Sequence, residues 1–102
     1  MTMLSSKDPV ETIVLSFALA GLLGTSETLT SVTSVSAWVE AGADPSPAAI
    51  LSGSPSIVGG TTIVQAVTGG INGTYYAVQV VAATSAGQVL ADTVVLPVIS
   101  QS

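Results

Sequence analysis

The side chains able to move protons or hold metals are few in this chain. The acidic residues are Asp8, Glu11, Glu27, Glu40, Asp44 and Asp92, and the one cation is Lys7. His and Cys are absent. The commonest general base, the thiolate nucleophile and the usual zinc and haem ligands are therefore missing. Serines are plentiful, but their only basic neighbour would be Lys7, which sits in an N-terminal arm. Asp8 with Glu11, Glu40 with Asp44, and Asp92 lack the dense spacing of a calcium loop. The pairs Gly59-Gly60 and Gly69-Gly70 lack the spacing of a phosphate-binding loop, and no helical pattern follows them. Asn72-Gly73-Thr74 has the form of a glycosylation sequon, but Asn-Gly is first a turn signal. These residues predict no enzyme, no cofactor and no metal site.

Composition points the same way. The chain has 102 residues, enough for one small domain. Charged residues make up 7% and the net charge is −5. A single cation argues against a nucleic-acid partner, because phosphate affinity rests on Lys and Arg. The apolar run Thr12–Leu23 is too short for a membrane span of roughly 20 residues. Asp8 and Glu11 give it the wrong flanking charge for a signal peptide, so no membrane partner is expected. Ser and Thr fill 26 positions, and Val (15) and Ala (13) lead the apolar residues. Such a chain must coat itself with Ser, Thr, Gly and Ala. That coat suits a subunit covered by neighbours better than a free monomer, which usually carries surface charge.

The elements that would position any contact residue read as strands. Residues 1–9 form an extended arm ending in Asp8-Pro9. Val10–Phe17 alternates as a strand, and a short apolar turn follows from Ala18 to Leu23. Glu27–Val39 is a Thr/Val-rich strand with a break near Ser31. Trp38, the only Trp, is expected in the inter-sheet core. Ala41–Pro55 reads as a surface loop with at most one short strand around Ala49–Leu51. Ile57-Val58, Thr61–Val67, Thr74–Ala83 and Val89–Val98 read as further strands. Pro97 calls for an edge or a strand end. The sum is an all-β protein, an antiparallel immunoglobulin-like β-sandwich of six to seven strands with a short N-terminal arm. Its expected parts are arm 1–9, sandwich 10–98 and tail 99–102.

Several segments together resemble a known family. Lys7-Asp8-Pro9 leads into a strand, and Ala20–Leu23 forms an apolar turn. Glu27-Thr28-Leu29-Thr30-Ser31 opens the next strand. Val67-Thr68-Gly69-Gly70, Gly73-Thr74-Tyr75-Tyr76 and Thr84-Ser85-Ala86-Gly87 follow in order. This order resembles the small fibre–tail adaptor proteins of tailed phages, from about residue 7 to 98. Relatives often carry Arg where Gln88 stands here, and their central segment is shorter than Ala43–Pro55.

The resemblance implies a non-enzymatic structural component of a tailed bacteriophage virion, made in the host cytoplasm. It would bind neighbouring virion subunits as a neck, tail or fibre adaptor, as a homo-oligomer or ring within the particle. A capsid cement protein on the outer shell is the alternative. A host-surface or carbohydrate-binding module of immunoglobulin type is a second one. Expected contact residues are Lys7, Asp8 and Pro9 in the arm, Pro45 and Pro47 in the loop, and outward-facing Tyr75. Removing residues 1–8 is expected to leave the fold intact but to reduce incorporation into particles.

Overall fold

The computed structural model describes residues 2–4 and 7–99. Residues 1, 5, 6 and 100–102, parts of the expected arm and tail, lie outside the described residues. Seven strands follow in chain order: β1 (Thr2–Met3), β2 (Thr12–Ala18), β3 (Leu29–Ala41), β4 (Leu51–Val58), β5 (Thr62–Thr68), β6 (Thr74–Thr84) and β7 (Val89–Val98). Short 3-10 turns at Ala20–Leu22 and Pro47–Ile50 interrupt them. The orders β2-β5-β4 and β7-β6-β3 form two antiparallel three-stranded sheets. They reproduce the pairing of an immunoglobulin sandwich. β1 joins the second sheet beside β7, in parallel.

Alternation of Val, Leu, Ile and Thr builds the core between the sheets. Leu15 and Phe17 from β2 meet Ile63 and Val67 from β5. The other wall is Tyr76, Val78, Val80 and Ala82 from β6 with Val94, Leu96 and Val98 from β7. Each large apolar side chain so buried contributes about 1.5–3 kcal/mol. The inward set of β7 follows its alternation, and the break expected near Ser31 is present between Leu29 and Ser31.

Four expectations change. Val10 belongs to a turn, not to β2: Asp8 Oδ1 accepts its N–H, and Glu11 N–H donates to Asp8 O. The stretch 51–58 is one strand that passes through Gly53 and Pro55 with a bulge between Ser52 and Ser56. Gln65 makes that possible. It is 2% exposed, and its amide donates to the carbonyls of Ser52, Gly53 and Ala66. Backbone groups that the bulge frees are thereby satisfied inside the sandwich. Trp38 lies on the outer face opposite Ala77, half-buried, its indole N–H on Glu40 Oε1 at 2.7 Å. Bulges between Leu29 and Ser31 and between Val32 and Ser34 reset the alternation, so Val35, Ala37 and Val39 take the inner face.

The arm is the fourth change. Leu4 N–H donates to Val95 O, Lys7 N–H to Pro97 O, and Ile99 N–H to Lys7 O, each at 2.8 Å. Residues 2–4 and Lys7 thus join the sheet along the edge of β7. Pro97 faces the arm with a carbonyl and no N–H. The register slips there: Met3 pairs with Val95 but Lys7 with Val98, one extra residue on the arm side.

Gly70 sets the packing at this end. Its φ is +98°, and a Cβ there would lie 2.9 Å from Val98 Cγ2. Gly69 has φ +67° and open space around it. Gly70→Ala should cost about 2 kcal/mol, and Gly69→Ala about half as much. Thermal unfolding checks the order: the first should melt roughly 10 °C below the parent. Equal losses for the two variants would contradict this packing.

Candidate docking surface

No group of metal-ligating residues and no pocket occurs among the described residues. What the fold builds instead is a surface. The molecule is elongated, 45 × 22 × 21 Å, and the quoted motifs gather at its two ends.

At one end two motifs clamp each other. Ser85 N–H donates to Thr28 O at 2.7 Å, and Thr28 N–H donates back to Ser85 Oγ at 3.0 Å. Thr84 Oγ1 donates to Glu27 Oε2 and accepts Ala86 and Gln88 N–H. The other Glu27 oxygen accepts Gly24 N–H at 2.7 Å. The Gly24 amide first, and then the Thr84 hydroxyl, hold the Glu27 carboxyl below its ordinary range. This end is a closed hydrogen-bonded turn cluster, and Gln88 is exposed beside it.

The opposite end gathers every residue expected to make contact. Lys7 is 1% exposed, and its ammonium donates to Gly69 O at 2.7 Å and Asp8 O at 2.9 Å. Burial pushes this ammonium below its ordinary pKa, against the opposing fields of Glu11 and Asp8. Lys7 therefore offers its backbone and its position, while its side chain is turned inward. Asp8 and Pro9 follow it, half-buried, in a turn closed by Asp8 N–H on Glu11 Oε1.

Tyr76 ties two loops to the same end. It is fully buried, yet its hydroxyl donates to Asp44 Oδ2 at 2.6 Å and accepts Ile71 N–H at 2.9 Å. Desolvation first, and then the Asp44 bond, push the phenol above its ordinary pKa. Asp44 also caps Ser46 N–H, which fixes the loop carrying exposed Pro45 and half-buried Pro47. Tyr75 faces outward between Ala41 and Pro97, half-buried. Val10, Ile71 and Ile99 lie in these same segments, 89%, 45% and 38% exposed.

Sequence reasoning missed Asp44 and Tyr76 as the pair that holds the loops. Their hydrogen bond spans 32 residues, and no local pattern announces it. It also missed Trp38 as a surface residue. The visible signal was Glu40 two positions on, which in a strand shares its face.

A model of the family described as podophage GP4 fiber-tail adaptor protein gp77 matches residues 7–97. No curated protein and no solved structure matches the chain.

The Lys7 latch is directly testable. Lys7→Met keeps most of the apolar stem and removes the ammonium, leaving the Gly69 carbonyl without that donor. The folded state should lose about 2 kcal/mol. Urea denaturation should show a lower midpoint at unchanged slope. An unchanged midpoint would mean that the arm is held without the ammonium.

Proposed function

Because the chain belongs to the podophage GP4 fiber-tail adaptor family, whose members are structural parts of the phage tail, we propose that the Lys7–Tyr76 end is the face it presents to neighbouring virion subunits. One observation carries this reading. The arm, the Pro45–Pro47 loop and the 69–73 turn converge there, locked by Lys7 and Tyr76. Exposed Val10, Ile71 and Ile99 give the face apolar contact area, and half-buried Tyr75 and Pro9 extend it. Exposed apolar side chains gathered on one face mark sites of association.

The rest of the molecule supports a role in assembly. The outer face of β2-β5-β4 carries Thr12, Val14, Ser16 and Ala18 beside Val64 and Ala66, with no charged residue. A surface so poor in charge is well matched to enclosure by neighbours. The adaptor would act by shape and position: a stiff sandwich that holds two partners at a fixed separation. In this reading it occupies a ring within the tail, between fibre and tail body.

Quantitative mass spectrometry of purified virions tests the assignment. The expected result is a small, ring-sized ratio to the major coat protein. A ratio near one would instead place the chain on the shell as a cement protein. Absence from particles would overturn both readings and return attention to a host-surface module.

A further inference from the structure

We propose that the open edge of β3, from Ser34 to Glu40, receives an extended basic segment of a second virion protein by antiparallel strand addition. This refines the adaptor reading and rests on it.

β3 is the outer strand of its sheet and pairs only with β6 among the described residues. An edge of this kind offers unpaired N–H and C=O groups to any extended chain. Proteins normally blunt such edges with bulges, Pro or inward charge. β3 has bulges between Leu29 and Ser31, between Val32 and Ser34 and between Val39 and Ala41. The stretch between the last two, Ser34–Val39, is in unbroken register and carries no Pro and no charge. It is an uninterrupted segment about six residues long, the usual length of a strand.

The direction of its peptide groups follows from β6. Thr84 N–H turns toward β7, where it donates to Gln88 O at 2.9 Å. Ala83 O turns the other way and accepts Thr30 Oγ1 at 3.2 Å. With a period of two, Val81, Gln79 and Ala77 also bond toward β3. Their partners Ser34, Ser36 and Trp38 bond back to β6. The peptide groups of Val35, Ala37 and Val39 therefore point out from the edge.

Charge and aromatic content identify the occupant. The only cation of the chain is buried and donates to internal carbonyls. A second copy would bring a net charge of −5 and no exposed Lys or Arg to this edge. The edge itself ends in exposed Glu40, whose Oε1 aligns the half-buried Trp38 indole on the same outer face. An indole face beside a carboxylate is a site for Lys or Arg, through cation–π attraction and ion pairing together. The two edges of the smaller sheet lack this signal. β2 carries only Thr, Val, Ser and Ala on its outer face, and β4 is broken by its bulge and Pro55.

The test uses whole phage particles in which a benzophenone amino acid replaces Ser36, an exposed position on the outer face. Irradiation followed by mass spectrometry should give a cross-link to a Lys- or Arg-containing segment of another virion protein. Introducing Glu40→Lys should cut that cross-link at least about tenfold. Ala37→Pro should do the same by removing an outward N–H while the ladder to β6 stays intact. Thermal unfolding of each purified variant shows whether its fold is kept, and the Glu40→Lys result stands alone if Ala37→Pro melts early. If the chain is present in particles but Ser36 reaches only other copies, or nothing, the inference fails and the adaptor reading survives. If the chain is absent from particles, both fail.

Discussion

The Lys7 ammonium is buried, and it donates to Gly69 O and Asp8 O at the meeting point of the first and last strands. Taking a charge out of water costs several kcal/mol unless good partners replace the solvent. Two backbone carbonyls, with Asp8 and Glu11 nearby, supply that replacement. The geometry leaves little choice of register. With Lys7 in place, its N–H meets Pro97 O and its own carbonyl meets Ile99 N–H. The arm then covers the edge of β7, where Pro97 could not have continued a regular ladder. Gly70 completes the site, because only a residue without a side chain lets that turn close on Val98 and Tyr76.

From this latch follows the distribution of surfaces. In a constant-type immunoglobulin sandwich the first strand covers the second. Here it crosses to β7, so β2 stays an edge of the smaller sheet among the described residues, as β3 is of the larger one. The single cation is consumed internally, which leaves the exterior acidic where charged and otherwise coated by Ser, Thr, Ala and Val. A scaffold with locked ends, charge-poor faces and open edges has the properties an adaptor needs.

Much of this was legible from the chain. The period-two runs of β6 and β7 could be read along the chain, and Tyr76, Val78, Val80, Ala82, Val94, Leu96 and Val98 are buried accordingly. The Lys7-Asp8-Pro9, Gly-Gly and Thr-Ser-Ala-Gly segments carried the family. What stayed hidden depends on distant partners. Pro55 argued for a loop, and only Gln65, one strand away, shows why β4 passes through it. Trp38 looked like core because size and apolarity favour burial, yet the β3 bulges assign it to the outside. Lys7 looked like a surface contact because lysine rarely lies within a protein. Its burial depends on carbonyls that the turn at Gly69 presents, 62 residues further on.

Amide hydrogen exchange on the purified chain tests the central claim most directly. If the latch makes the arm part of the sheet, the Leu4 and Lys7 amides should be protected as strongly as those of the β6–β7 ladder. The outward amides of β3 should exchange orders of magnitude faster than either. Arm amides that exchange at the rate of an unfolded chain, beside a protected β7, would contradict the account.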